Sequence, residues 1–333
     1  MSDKKSVIPP PRKGPVAMYR ITVVIPCYRE KHQILDVLNR CDSLINHIIV
    51  VDDACPDNTG EFVRKNNKDP RVHVIIHEKN QGVGGATLTG YAKAIELGDD
   101  IIVKVDGDGQ MDPAMIPILT RPLQSGEADY AKGNRFYQPS GLSRMPALRL
   151  VGNLFLSFAS KMSSGYWKIF DPTNGFTAIH RKVAQELPFD KISKDYFFES
   201  DMLFHLNIAR AVVTDIPIQA IYGNETSSLK ISRVLLPFIA KHFINSFRRI
   251  VFNYFLRDFS IASIELIIGL IFITFGAIFG SLEWYESSIS GTTATAGTVI
   301  IAALPLMIGS QLLISFLNFD VNNQPDRTLH LNL

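Results

Sequence analysis

Cysteine is scarce: Cys27, Cys41 and Cys55 are an odd set with no CxxC spacing. That excludes a disulfide framework and a zinc site, and it fits reduced thiols. An excess of one charge is missing too. A formal net charge of +2 over 333 residues gives no field that would draw in nucleic acid. The first 19 residues lack the apolar stretch of a signal peptide. They are polar, proline-rich and basic, with Lys4, Lys5, Arg12 and Lys13, and predict a disordered, solvated arm. No GxGxxG follows the first predicted strand, which removes a dinucleotide-dependent dehydrogenase. Long apolar runs are absent from the first two-thirds of the chain and concentrate in the last quarter, so the length divides into two or three unlike units.

What is present after residue 19 is an alternation of short β-branched runs with mixed stretches. Residues 21–25, 47–51, 72–76 and 101–105 read as strands, and 30–40, 58–65 and 84–97 as helices. Continuous apolar strands between helices predict a parallel sheet covered on both faces, an α/β Rossmann-like domain over residues 20–230. Ligands of such sheets bind at the carboxyl ends of the strands. Leu148, Val151, Leu154, Phe155 and Phe158 recur at helical spacing and read as a core stripe.

Residues 231–258 mix Leu236, Phe243, Phe247 and Phe255 with Lys241, Arg248, Arg249 and Arg257, which predicts amphipathic helices lying at a membrane surface. Residues 259–279 and 298–319 are each long and apolar enough to span a bilayer. The connection between them carries Glu283 and Glu286 but no Lys or Arg, while Arg248, Arg249 and Arg257 precede the first span. The positive-inside rule then puts the large domain in the cytoplasm, with residues 320–333 returning as a cytoplasmic tail. The expectation is an integral membrane protein, of a bacterial inner membrane. Glu265, the one ionisable group in the first span, should face protein or the head-group level. Gly269, Gly276 and Gly280 offer a small-residue face to a second copy, a homo-oligomer.

Four loops at predicted strand or helix ends carry chemistry. Pro26-Cys27-Tyr28-Arg29-Glu30 closes the first strand. Asp52 and Asp53 close the second, followed by Asp57 and Asn58, which read as caps of the next helix. Asn80-Gln81-Gly82-Val83-Gly84-Gly85-Ala86 opens the third helix, and reads either as an anion site on exposed amides or as a plain glycine turn. Asp106-Gly107-Asp108-Gly109-Gln110 follows the apolar run 101–105 directly. Two carboxylates at that spacing suit a hard divalent cation, Mg²⁺ or Mn²⁺, bridged to a diphosphate. No Glu closes a 12-residue loop, so this is not an EF-hand.

Taken in order, Pro26-x-Tyr28-x-Glu30, Asp52-Asp53 with Asp57 and Thr59, Asn80-x-Gly82-x-Gly84-Gly85-Ala86, Asp106-x-Asp108-x-Gln110 and Gly133-Asn134-Arg135 resemble family-2 glycosyltransferases of the GT-A fold. The resemblance is to the polyprenyl-phosphate (dolichol-phosphate) mannose and glucose synthases. It implies that Pro26, Tyr28, Glu30, Asp52, Asp53, Gly84 and Lys230 line the donor site. Asp106, Asp108 and Gln110 would hold the metal and donor diphosphate. Arg135, Arg149 and Asn153 would grip the acceptor phosphate, and Asp108, Arg135 and Arg149 would be catalytic. Residues 171–176 resemble the acceptor-side loop and 227–230 the mobile loop near the pyrophosphate. Arg29 stands where the family usually has Asn, and Ala54-Cys55 where it has Gly-Ser.

The expected reaction is inverting transfer of a hexose, from GDP-mannose or UDP-glucose, to a polyprenyl phosphate, for cell-envelope glycan or glycoprotein assembly. A phosphate monoester is mostly dianionic at neutral pH, so it needs cationic clamps rather than a base. The alternative is a saccharide hydroxyl acceptor with Asp201 as general base. Asp201 reads equally as the cap of a helix starting near Met202. A catalytically silent membrane protein is disfavoured by the intact Asp106/Asp108 pair.

Overall fold

The computed structural model describes residues 19–136, 147–218 and 231–333. Residues 1–18 of the basic arm and the whole 227–230 motif, Lys230 included, therefore lie outside the described residues. Arg149 and Asn153 lie in a described helix, but their side chains are outside the description.

Seven strands form one sheet: β1 Ile21–Cys27, β2 His47–Asp52, β3 Val72–Ile76, β4 Ile101–Lys104, β5 Tyr130–Asn134, β6 Thr177–His180 and β7 Val213–Pro217. Their order is β3-β2-β1-β4-β6-β5-β7. β3, β2, β1 and β4 are parallel, as expected. The second half corrects the all-parallel reading. β6 runs antiparallel to both β4 and β5, and β7 pairs parallel with β5. β5, β6 and β7 are only four or five residues long, and β5 and β7 carry polar residues, so no apolar run marks them.

Alternation within the strands gives two cores. On one face Val23, Ile25 and Val103 meet α1 (Ile34–Asn39) and α4 (Ile116–Gln124) through Val37, Leu119 and Leu123. On the other, Val24, Ile102, Tyr130 and Ile179 meet α3 (Gly82–Leu97), α6 (Arg181–Glu186) and α7 (Phe198–Ile208) through Tyr91, Val183 and Met202. α2 (Thr59–Asn66) packs on β2 and β3.

α5 (Ala147–Ser164) and α8 (Ile231–Val251) pack on each other beside this domain, and a π-helical turn, Phe252–Leu256, ends α8. The apolar stripe expected to be core on α5 is not: Leu154, Phe155 and Phe158 are about half exposed. Leu236, Phe243 and Phe247 on α8 are exposed as well. Two helices thus present large apolar side chains outward, an arrangement that fits an interface with lipid.

α9 (Ile261–Ser290) and α10 (Ala296–Asn322) form an antiparallel hairpin of 30 and 27 residues, each long and apolar enough to cross a membrane. At 1.5 Å per residue both exceed the roughly 30 Å of a bilayer core. Glu265 accepts from the Ser315 hydroxyl (2.9 Å), so it faces the partner helix. The small-residue face is spent inside the hairpin. A Cβ on Gly269 would lie 2.9 Å from Leu313, and one on Gly276 would lie 2.8 Å from the Ala302 carbonyl. That corrects the reading of these glycines as a face for a second copy.

α3 reaches the sheet so closely that a Cβ at Gly90 would overlap Val24 Cγ1, which is fully buried. Gly90→Ala should therefore destabilise the domain by about 1–3 kcal/mol through overpacking. Thermal unfolding of the detergent-solubilised protein reads this, and an unchanged midpoint would show that the helix yields freely.

Candidate active site

The carboxyl ends of β1, β2, β4 and β5 converge on the Asp106 turn. A Cβ on Gly107 would lie 3.1 Å from Cys27 Sγ and 3.3 Å from Glu30 Cγ, so the turn rests on the loop after β1. Gly109 is in the left-handed region at φ +73°, and its carbonyl accepts from Arg40 Nη2 (3.4 Å). The Gln110 amide donates to Asp108 Oδ1 (3.0 Å), and the Asp106 amide donates to Met111 Sδ (3.3 Å).

Beneath the turn lies a residue that the motifs do not include. Lys104, 1% exposed, donates to Asp106 Oδ1 (2.6 Å) and Glu199 Oε1 (3.2 Å). Burial works against its charge, but the Asp106 and Glu199 carboxylates outweigh burial and raise its pKa. Lys132, on β5, is equally buried and donates to the Asn174 carbonyl. Burial pushes its pKa down to about 8, against the pull of Asp171, Glu199 and Asp215. A lysine ending the apolar strand β4 is the signal that would have found Lys104, because lysine is almost never buried unpaired; β5 has no apolar run to mark Lys132.

The 171–176 loop joins this turn to Arg135. Asp171, 1% exposed, accepts from Arg135 Nε (2.8 Å) and Nη2 (2.9 Å), a two-pronged pair that fixes the guanidinium plane. Four residues along the chain, Gly175 passes so close to the turn that a Cβ would overlap the Lys104 ammonium and lie 2.7 Å from Asp106 Oδ2. The turn that carries Asp106, Asp108 and Gln110 thus adjoins Glu30 on one side and, on the other, the 171–176 loop that holds Arg135.

Other expected site residues are tied into the scaffold. Asp52 accepts from the amides of Cys55 (2.7 Å) and Gly60 (2.5 Å), so it, and not Asp57 or Asn58, caps the start of α2. Asn58 takes the N-cap position with a left-handed backbone and no side-chain bond. Asp53 accepts from the amides of Gln81 and Gly82 and from His77 Nδ1, each at 2.8 Å, and so ties β2 to α3. The Gly84 and Gly85 amides donate to the Lys194 carbonyl (2.9 and 3.3 Å). That corrects the anion-site reading of the glycine turn: its amides are spent on protein acceptors, and a Cβ on Gly84 would meet the Ser193 carbonyl at 2.6 Å. The glycines admit the 193–195 segment.

Asp201 also departs from its expected settings. α7 begins at Phe198, so Asp201 lies inside the first turn and is not its cap. It is buried, and its two oxygens accept from the Ser193 amide and Asn245 Nδ2, both at 2.7 Å. Pro26 is buried in β1, and Tyr28 is exposed with the Arg29 guanidinium 5.5 Å from its ring centre.

The two departures from the family pattern both sit in left-handed backbone: Arg29 at φ 66° and Ala54 at φ 53°. Asn and Gly reach that region more easily than Arg and Ala. Cys55 Sγ accepts from the Arg29 amide (3.0 Å) and lies 3.2 Å from the Thr59 hydroxyl, contacts that a serine oxygen would also make. Ala54→Gly should raise stability by about 0.5–1 kcal/mol by relieving the left-handed strain. A thermal midpoint that stays level or falls would contradict this.

The family model for glycosyl transferase family 2 matches residues 22–188. A UDP-N-acetylglucosamine–dolichyl-phosphate N-acetylglucosaminyltransferase of Methanococcus voltae is 34% identical over 235 residues, 66% of this chain and 92% of that one. An undecaprenyl-phosphate mannosyltransferase of Micrococcus luteus is 29% identical over 60% of this chain and 82% of its own. A polyprenol monophosphomannose synthase of Mycolicibacterium smegmatis is 31% identical over 60% and 76%. Among solved structures, glucosyl-3-phosphoglycerate synthase of Mycobacterium tuberculosis, in complex with Mn²⁺, UDP and glucosyl-3-phosphoglycerate, superposes with a TM-score of 0.52 at 19% identity. It covers 69% of this chain and 80% of that one, and shares the mixed α/β fold. By its matched domain and by relatives that it covers over most of their length, the chain belongs to glycosyl transferase family 2.

Proposed function

We propose that the protein transfers a hexose from a nucleoside-diphosphate sugar to the phosphate of a polyprenyl phosphate, with inversion, at the cytoplasmic face of a membrane. The observation that carries the reading is one juxtaposition. The Asp106/Asp108 turn and an arginine held flat by Asp171 share one site, in a domain whose helices α5 and α8 turn apolar side chains outward. The relatives from M. voltae, M. luteus and M. smegmatis are all named for polyprenyl or dolichyl phosphate acceptors, which supports the acceptor class.

The donor set suits a divalent ion. Asp106, Asp108 and Gln110 offer oxygen alone, and no cluster of three or more His, Cys, Asp or Glu occurs among the described residues. Two carboxylates with the rest of the shell from phosphate and water is how magnesium is usually held. Asp108, with Asp106 and Gln110 beside it, would hold Mg²⁺ or Mn²⁺ against the donor diphosphate. The ion would offset the negative charge that develops on the nucleoside-diphosphate leaving group.

The chain's own residues do the rest. Lys104 fixes Asp106 from below, so the turn is preorganised. Arg135, oriented by Asp171, presents donors to the acceptor phosphate, whose second pKa near ~6 leaves it mostly dianionic at pH 7. Such a nucleophile needs no proton removed, so positioning and charge carry the rate. The burial of Asp201 and the occupation of both its oxygens weigh against the hydroxyl-acceptor reading, which needs a base open to the acceptor. Arg248 and Arg257 before α9, against a connection without Lys or Arg, support the cytoplasmic orientation.

Radiolabelled UDP- and GDP-sugars offered with undecaprenyl phosphate, with Mg²⁺ or Mn²⁺ and with chelator, test the proposal. A chloroform-soluble product from one donor is expected, lost with chelator and reduced roughly 100-fold or more by Asp108→Ala. Asp201→Asn should keep most of the activity. Turnover only on an added saccharide, abolished by Asp201→Asn, would sink the phosphate acceptor.

A further inference from the structure

Asp129 is fully buried just before β5, at the end of the sheet opposite the Asp106 turn. Five residues of strand put it roughly 15 Å from the carboxyl end of β5. Its carboxylate accepts from four donors: the amides of Val212 (2.7 Å), Leu329 (2.8 Å) and His330 (2.9 Å), and His330 Nδ1 (2.6 Å). Three of the four come from the segment after α10. The His330 ring stacks on His180, with centroids 4.2 Å apart and planes 13° from parallel. Lys182 Nζ reaches the His330 carbonyl (3.4 Å), and Leu331 lies against Gly126.

The same segment is fastened a first time at the foot of α10. Asp320, 3% exposed, accepts from Arg249 Nη1 (2.6 Å) and Nη2 (3.0 Å), from Trp167 Nε1 (2.9 Å) and from the Tyr254 hydroxyl. Arg210 Nη1 donates to the Asn323 carbonyl (2.9 Å). One attachment leaves a rigid domain free to swing about it. A second attachment, separated from the first, removes that freedom.

We infer that residues 320–333 are a clasp that sets the tilt of the catalytic domain on the α9–α10 hairpin, and that Asp129 and His330 are positioning residues for attack by a membrane-embedded acceptor. The functional half of the inference rests on the polyprenyl phosphate reading. The clasp itself rests on the contacts alone. Neither residue touches the reacting atoms. Their effect is on where the site meets the bilayer, and a misplacement of about 1 Å can cost a large factor in rate.

The test uses the full chain in lipid nanodiscs, spin-labelled at Lys65→Cys on α2 and Ser288→Cys at the far end of α9, both exposed positions. The native cysteines are buried. It is compared with a chain stopped after Gln324. A full-length His330→Ala, Leu331→Ser variant serves as well, because truncation leaves the Asp129 carboxylate with Val212 alone. The expected result is a narrow inter-label distance distribution that broadens in both variants. Rate should fall roughly tenfold on long-chain polyprenyl phosphate in the bilayer, and stay within about twofold on a short, water-soluble isoprenyl phosphate. An unchanged distribution overturns the clasp. Broadening with an undiminished bilayer rate, or an equal loss on both acceptors, overturns the positioning role. A full chain that glycosylates neither acceptor, yet shows the narrow-to-broad change, supports the clasp and overturns the reaction it is said to serve.

Discussion

Lys104 lies beneath the Asp106 turn with its ammonium removed from water and met by two carboxylates. A buried ammonium is expensive unless it is paired, and a pair broken on one side is costlier than no pair. Three elements are thereby committed to one place: β4 by Lys104, the turn by Asp106 and α7 by Glu199. The commitment spreads. Gly175 must be glycine because the same ammonium and the same carboxylate fill the space its Cβ would need. With Gly175 fixed, the 171–176 loop is fixed, and Asp171 then holds Arg135. The path from the Asp106 turn to Arg135 is therefore one continuous set of contacts.

A second constraint acts where the domain meets the hairpin. Arg249 is 2% exposed and donates to Asp320 and to the Met162 carbonyl. Asp320 belongs to α10, Arg249 to α8, Met162 to α5, and Tyr254 to the turn between α8 and α9. Charge-assisted bonds in a site closed to water hold their geometry tightly. The helices that turn Phe155, Phe158, Phe243 and Phe247 outward are thus locked to the helices that would cross the bilayer. Arg249 counts toward the positive-inside bias in sequence, yet in the fold it is consumed by this knot, whereas Arg248 and Arg257 remain exposed.

The parallel half of the sheet, the α9–α10 hairpin and the Asp106 turn were legible because each is written locally, as apolar runs or as acids next to such a run. β6 and β7 were not, because Thr177–His180 and Val213–Pro217 are strands only by virtue of their neighbours. The α5 stripe was misread for a related reason. Helical spacing shows that Leu154, Phe155 and Phe158 share a face, but not whether that face meets protein or lipid. Asp52, Asp53 and Gly84 were legible as residues and not as contacts. A carboxylate at a strand end looks the same in sequence whether it faces a ligand or the amides of Cys55, Gly60 and Gly82.

These spent groups bear on what the site can recognise. The Gln81 and Gly82 amides go to Asp53 and those of Gly84 and Gly85 to the Lys194 carbonyl, so these four offer little to a donor diphosphate at the start of α3. In the proposed reaction its charge is met at the Asp106/Asp108 turn and by side chains. That concentrates the demand for positive charge on the one edge where Arg135 also lies. A sugar hydroxyl brought there would not find Asp201 as its base, since that carboxylate is buried and both its oxygens are occupied. In the proposed reaction a phosphate monoester brings no proton that must be removed, and it would meet the Arg135 guanidinium whose plane Asp171 sets. The same economy that ties the acids and glycines into the scaffold thus supports the phosphate acceptor proposed above.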